Sequence, residues 1–175
     1  MKFINLHAHT VFSIFDGLGY PQEHLKAAHE NGMNALAISD HGNMNGMAHQ
    51  YFAQQNMKKE GINFKNIYAM EGYYISSINE WKKEQEKQKE EKKSKKDKQQ
   101  KGSIFLEDDD KTKKKEKYQR NHLLLLAKNK IGLTNLFKIV SESNTLENFY
   151  RHPRIDFEIL KKNKEGIIRL LKGLR

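Results

Sequence analysis

The segment NLHAHTVFSIFDG (residues 5–17) carries residue types that could bind metal ions, at a suitable spacing. His7 and His9 lie one residue apart at the end of a short apolar run, and residues i and i+2 of an extended strand point to the same side. Their two neutral imidazoles would therefore project together, which suits a divalent metal such as zinc, manganese or iron. Asp16 would add a carboxylate, which supplies negative charge and can bridge two cations.

Three further candidate ligands lie in or beside other apolar runs. His41 follows ALAIS (35–39), Glu71 lies within NIYAMEGYYI (66–75), and His122 precedes LLLLA. A buried carboxylate without a partner is costly, so Glu71 is hard to explain as a purely structural residue. His122 could reach the same place only if its strand bends or runs in the opposite direction. The remaining histidines are interpreted as hydrogen-bonded structural residues: His24, His29, His49 and His152.

Together these residues predict a centre for metal-dependent hydrolysis. Bound divalent ions can lower the pKa of water and can clamp both oxygens of an in-line phosphoryl displacement. An imidazole-rich ligand set argues against a site that serves magnesium alone. Each residue also has a structural interpretation, because His-x-His is a weak motif by itself and both Asp40 and the Asp16–Gly17 pair could simply form turns. Spacing alone leaves both interpretations open.

The elements that would position these side chains follow from the apolar pattern. FINL (3–6), ALAIS and NIYAMEGYYI predict three buried strands, and Pro21 and Gly32 bound a helix between the first two. Alternating strands and helices predict parallel strands with crossover helices, whose carboxyl ends gather functional groups. A second helix is predicted from an apolar face at i, i+3, i+4 and i+7: Met44, Met47, Ala48 and Tyr51.

The second half of the chain repeats this pattern. HLLLLAK (122–128) predicts a fully buried strand, HPRIDFEILKKN (152–163) a turn into a short helix, and GIIRLL (166–171) a last strand. Between the first two, a further amphipathic helix has its apolar face at four positions: Leu133, Leu136, Phe137 and Val140.

Residues 79–117 differ from the rest of the chain in composition, with fifteen lysines and eleven acidic residues. Ser77 and Glu80 match a capping box, so a solvated helix is expected to start there and to lead into a mobile, low-complexity insertion. A nucleic-acid-binding arm is the alternative. The even mixture of lysine and glutamate favours the solvated tether.

Composition limits the classes of site and of protein. The chain has 175 residues, enough for one domain, and no cysteine, which excludes disulfides and thiolate metal sites. No apolar stretch reaches the length needed to span a bilayer and no signal-peptide pattern precedes His7, so we expect a cytoplasmic protein without membrane contact. The net charge of +10 permits contact with nucleic acid, but it is spread along the chain.

The motifs together resemble the PHP (polymerase and histidinol phosphatase) domain found at the amino terminus of bacterial replicative DNA polymerase III alpha subunits. NLHAHTVFSIFDG is similar to the first motif of that family, ALAISDHGNMNG to the second and MEGYYI to the third. HLLLLAKNKIGLTNLFKIVSES and YRHPRIDFEIL resemble the polymerase branch rather than the phosphatase branch. Residues 1–175 are accordingly interpreted as the N-terminal part of a PHP domain, with 79–117 as an insertion within it.

The resemblance implies a fold, a ligand set and an activity. The implied fold is a distorted (β/α)7 barrel, which would be incomplete at the C-terminus of this chain, and the complete site of the family holds up to three divalent metal ions. The implied activity is 3′–5′ exonuclease chemistry on DNA, with the rest of the polymerase alpha subunit and replisome proteins as partners. The implied metal ligands are the six residues singled out above: His7, His9, Asp16, His41, Glu71 and His122.

Two other functions are compatible with the resemblance. One is a structural scaffold for the polymerase without chemistry, and the other is a small-molecule phosphoesterase of the histidinol-phosphatase type. The sequence departs from the family pattern where Leu171, Lys172 and Gly173 stand in place of Ser, Gly and Cys. The late Cys/His ligand is therefore not expected, and the final Asp-x-His motif would lie beyond Arg175.

Overall fold

The computed structural model describes residues 3–99 and 121–171, in which helices and strands alternate along the chain. In chain order the elements are α1 (Pro21–Glu30), β1 (Ala35–Ile38), α2 (Met47–Lys59), β2 (Lys65–Tyr74), α3 (Ile78–Gln99), β3 (Asn121–Ala127), α4 (Lys130–Ser143), β4 (Phe149–Tyr150), β5 (His152–Ile155), α5 (Phe157–Lys162) and β6 (Ile167–Leu171). Of the helices in these ranges, none combines the length and the apolar character that crossing a bilayer requires.

The six strands form one sheet of mixed direction, built around β2. β1 and then β5 pair in parallel with successive parts of β2, while β3 pairs with it antiparallel and β6 pairs antiparallel with β3. The predicted parallel pairing is confirmed for β1 and β2. For β3, whose direction the sequence left open, and for β6, the pairing is antiparallel. A crossover helix must cover the sheet with an apolar face, and α3, which leads out of β2, is rich in Lys and Glu and is mostly exposed over residues 79–91.

The core lies on both sides of β3, as the continuous apolar run predicts. Leu123 and Leu125 pack into the larger cluster, which includes Met70, Leu136 and Ile155. Leu124 and Leu126 point to the opposite face and pack with Ala37 and Ala69. A third cluster joins α1, β1 and α2 through three buried side chains and two partly buried ones: Leu25, Leu36, Phe64, Ala53 and Met57.

Three local expectations were wrong. The FINL run is not a buried strand, because only Asn5 bridges to Leu36 of β1 and the Phe3 side chain is 70% exposed. In α2 the polar Gln50 is buried, whereas Tyr51 is exposed. The helix packs against the cluster around α1 through Ala53 and Met57, which is a different face from the one expected. The HPRI stretch forms strand β5 rather than a turn.

The predicted helices near the insertion and after β3 are partly confirmed. The Glu80 N–H donates to Ser77 Oγ at 3.3 Å and α3 begins at Ile78, as the capping box predicts. The helix continues to Gln99, so the described part of the insertion is helical, and residues 100–117 lie outside the described ranges. In α4 Phe137 is exposed and Ile139 takes the buried position. Closure of the sheet into a barrel stays a prediction.

Candidate metal centre

A buried carboxylate, Asp40, organises the loop that carries the first three candidate ligands. Asp40 accepts hydrogen bonds from the Thr10 N–H at 2.7 Å, the Thr10 hydroxyl at 2.9 Å and the Ser13 hydroxyl at 2.8 Å. Ser13 Oγ in turn accepts from the His41 N–H at 3.1 Å. The loop after His9 is therefore fixed against Asp40 and His41, which lie shortly after the end of β1. The loop and the end of β1 thus meet at one edge of the sheet.

Gly17 allows the loop to fold back on itself. A Cβ at this position would lie 2.0 Å from the Thr10 carbonyl oxygen, a distance that only glycine avoids. The Gly17 and Asp16 N–H groups both donate to the Ser13 carbonyl, at 2.9 and 3.0 Å. This compact turn places the Asp16 carboxylate beside His41.

Strand β2 continues past the end of β1 and carries Glu71 into the same region. The Glu71 N–H donates to the Asp40 carbonyl at 3.1 Å, and the Gly42 N–H donates to the Glu71 carbonyl at 2.8 Å, so His41 and Glu71 form a parallel bridge. His122 joins them because β3 runs antiparallel to β2 and pairs His122 with Tyr73. The reversed strand direction that the position of His122 requires is thus present.

The side chains converge on Glu71. Glu71 as a whole residue is 1% exposed, and its Oε2 contacts His7 Nε2 and lies 3.0 Å from His9 Nε2, while its Oε1 contacts His122 Nδ1. On the outer side, Asp16 Oδ2 lies 2.8 Å from His41 Nε2 and 3.8 Å from His9 Nε2. The imidazole rings of His9 and His41 stack with their centroids 4.3 Å apart.

The six predicted residues form three overlapping groups whose ligand atoms lie within 4.8 Å of one another. One group joins His7, His9 and Glu71, the second joins His9, Asp16 and His41, and the third joins His41, Glu71 and His122. The groups share His9, His41 and Glu71, so three adjacent sites would be linked by common ligands. Within the described ranges, the other four histidines take part in none of the groups.

The electrostatics of the centre follow from burial and from the facing groups. Burial alone would raise the pKa of Glu71, but hydrogen bonds with His9, His7 and His122 hold that pKa well below its ordinary value. The hydrogen bond with Glu71 raises the pKa of His9 above its usual range. At His41 burial dominates and lowers the pKa, although the hydrogen bond with Asp16 opposes it. Glu71 is therefore ionised at neutral pH.

The donor set fits borderline divalent cations. Four imidazole nitrogens and two carboxylates supply the N and O ligands that zinc, manganese and iron accept. The Nδ1 atoms of His9 and His41 are buried and lack a hydrogen-bond partner among the described residues, so protein contacts alone do not satisfy these rings. The two oxygens of Glu71 face different imidazoles, which is the arrangement of a carboxylate that bridges two ions.

Sequence reasoning missed the residues that support the candidate ligands. Asp40 was interpreted as a possible turn residue, whereas its buried carboxylate holds Thr10 and Ser13. Tyr73 was not singled out, and its ring stacks on His41 with centroids 5.5 Å apart and crosses the His122 ring at 5.2 Å. Thr10, Ser13 and Asp40 all lie within the motifs NLHAHTVFSIFDG and ALAISDHGNMNG, and this position was the signal in the sequence that could have identified them as supporting residues.

The chain has recognisable relatives among known proteins. The PHP domain family model matches residues 5–174. DNA polymerase III subunit alpha of Aquifex aeolicus is 39% identical over 98% of this chain, and that of Borreliella burgdorferi is 34% identical over 95% of it. The chain spans 12% of the length of each of these relatives.

A more distant similarity exists to a solved structure from Bifidobacterium adolescentis that is provisionally described as a metal-dependent phosphoesterase. The TM-score is 0.41 and the identity 16%, over 80% of this chain and 34% of that one. The family assignment depends on the PHP match, which covers nearly all of the sequence. The chain belongs to the PHP domain family.

Proposed function

We propose that this chain is the PHP portion of a DNA polymerase III alpha subunit and that it hydrolyses terminal phosphodiester bonds at the 3′ end of DNA, using divalent metal ions. The observation that carries the proposal is the convergence of three imidazoles on the buried carboxylate of Glu71, with Asp16 and His41 alongside. The identity of the A. aeolicus and B. burgdorferi relatives supports the polymerase context. DNA, the remainder of the alpha subunit and replisome proteins in the cytoplasm are the proposed partners and setting.

The residues of the centre would have distinct roles. His7, His9 and His122 would hold metal ions against Glu71, whose two oxygens suit a bridging ligand. Divalent ions, when bound, polarise phosphoryl oxygens and lower the pKa of water enough to supply hydroxide near neutral pH. Asp16, with a side chain 53% exposed, lies on the solvent side of the centre, where a phosphodiester would approach.

A primer carrying a 3′ mismatch provides the test. Nucleotide release is expected in manganese or zinc, and a chelator should abolish it. Glu71→Gln removes the negative charge that the three imidazoles face, so metal affinity should fall by at least about tenfold. Nucleotide release should fall with it. Glu142→Gln is the matched control, because Glu142 pairs with Lys162 outside the centre.

Other outcomes separate the competing functions. Metal binding that depends on Glu71, without release of nucleotides from a folded protein, would contradict the exonuclease and favour the scaffold. Hydrolysis of a simple phosphomonoester without cleavage of DNA would favour a phosphoesterase of the histidinol-phosphatase type. If neither His7→Ala nor Glu71→Gln changes the metal content of the protein, the proposed metal centre does not exist.

A further inference from the structure

Two residues outside the ligand set hold a costly backbone conformation beside the metal centre. Phe15 has φ +67° and Arg151 has φ +62°, and in the described ranges they are the only residues other than glycine with positive φ. This left-handed region is unfavourable for residues with a Cβ, and strain of this kind concentrates at functional sites.

The Phe15 side chain gains no packing that would offset the strain. It is fully exposed to solvent, although a phenyl ring is among the side chains that most favour burial. Phe15 immediately precedes Asp16, whose carboxylate contacts His41. The ring therefore stands in solvent one residue from a candidate ligand, in a loop that the contacts of Asp40 and Gly17 hold in place.

Arg151 is linked to His41 through a different set of contacts. It forms the turn between β4 and β5, and its guanidinium lies 5.6 Å from the centroid of the half-exposed Tyr150 ring. The next residue, His152, has its ring 4.7 Å from that of Tyr73, which stacks on His41. Both strained residues are thus connected to the same ligand, one through Asp16 and the other through His152 and Tyr73.

We propose that Phe15 and Arg151 form a clamp for the 3′ end of single-stranded DNA, in which Phe15 stacks on a nucleobase and Arg151 contacts a backbone phosphate. An exposed aromatic ring and a guanidinium are the kinds of group that bind single strands without reading sequence. The clamp deepens the proposed function by naming the residues that orient its substrate. Holding both residues in the left-handed region sets the direction in which each side chain leaves the backbone before the strand arrives.

Binding and hydrolysis can be measured separately. Fluorescence anisotropy of a short labelled oligothymidylate with phosphorothioate linkages at its 3′ end, in manganese buffer, reports binding without rapid cleavage. Phe15→Gly should weaken binding about tenfold, because stacking is lost. Its melting temperature should stay the same or rise, because glycine adopts positive φ without strain. Phe15→Trp should retain wild-type affinity.

Arg151→Gly is expected to act through charge. Its affinity should fall, and the slope of log K against log salt should become shallower by about 0.7, the value for one phosphate contact on a single strand. Phe52→Ala and Arg169→Ala are matched controls, because both side chains are exposed and lie on α2 and β6 rather than on either strained turn. They should bind like the wild type.

The clamp and the proposed hydrolysis fail in different ways. Binding that depends on Phe15 and Arg151, without any cleavage of unmodified DNA, supports the clamp and contradicts the exonuclease. Cleavage and binding that are unchanged in Phe15→Gly and Arg151→Gly overturn the clamp and leave the exonuclease intact. A wild-type protein with no measurable affinity for the oligonucleotide also overturns the clamp.

Discussion

Glu71 and Asp40 are two buried carboxylates that have different tasks in the same small volume. Among the residues that the structure describes, the side chain of Glu71 faces three imidazoles and no backbone donor, so its charge is directed at the candidate centre. Asp40 faces the N–H and hydroxyl of Thr10 and the hydroxyl of Ser13, so its charge is used within the loop. We interpret Asp40 as a positioning residue rather than as a ligand.

Asp40→Asn tests this interpretation at the residue scale. The amide has only one acceptor oxygen for three donors, so the free energy of unfolding should decrease by about 2–3 kcal/mol, as measured by urea denaturation. Metal affinity of the folded protein should fall as well, because the loop that carries His9 and Asp16 loses its anchor.

Asp156→Asn is the matched control for Asp40→Asn. Asp156 is also buried and accepts hydrogen bonds from the Ile78 and Ile159 N–H groups at 3.1 Å, but it caps α5 far along the chain from the ligands. Its variant should lose stability and keep its metal affinity. Equal loss of metal affinity in both variants would contradict a specific role for Asp40.

At the scale of elements, the centre depends on a tight loop and on the direction of one strand. The loop between His9 and α1 turns back at Gly17, so that Asp16 reaches His41. The antiparallel direction of β3 puts His122, its second residue, at the edge where β1 ends. A parallel β3 in the same position would carry His122 to the opposite edge of the sheet.

Gly17→Ala is expected to disrupt the loop. The added Cβ would overlap the Thr10 carbonyl, which is backbone and cannot rotate away, so a loss of about 2–3 kcal/mol in unfolding free energy is expected together with weaker metal binding. Gly32→Ala is the control, since Gly32 has φ +79° but open space around it, and only the conformational cost of about 1 kcal/mol should appear. Chemical denaturation and metal titration of both variants would check this, and a Gly17→Ala protein as stable as the wild type would contradict it.

At the scale of the whole molecule, the candidate ligands come from four separate parts of the chain. The loop of residues 7–16 contributes three of them, and the end of β1, the middle of β2 and the start of β3 contribute one each. No such centre exists in the unfolded chain, because loops of many residues separate these parts. Metal binding should therefore stabilise the folded state selectively.

Metal addition should raise the melting temperature. At a metal concentration of a hundred times Kd the stabilisation is about 2.7 kcal/mol, which corresponds to an increase of about 5–10 °C for a protein of this size. Differential scanning calorimetry with manganese or zinc, before and after treatment with a chelator, measures it. A melting temperature that neither metal nor chelator changes would contradict the metal centre. The Glu71→Gln protein should show a much smaller increase in melting temperature than the wild type.

The sequence by itself determined the residue types and most of the elements. The run of four leucines predicts burial on both faces of the strand, and Leu123–Leu126 are buried in two clusters. Burial of apolar side chains is favourable in any fold, so this feature does not depend on the tertiary arrangement. The alternation within NLHAHT placed His7 and His9 on one side of the backbone for a purely local reason. All six residues proposed as ligands were named from their types and positions.

Tertiary structure alone decided the direction of β3, the buried face of α2 and the role of Asp40. An apolar run has no direction, so only pairing with β2 could bring His122 to Glu71. Gln50 is polar, and its buried side-chain amide donates to the Ile67 carbonyl of β2 at 3.4 Å. These features depend on contacts between distant segments, and hydrophobic periodicity along one segment carries no information about them.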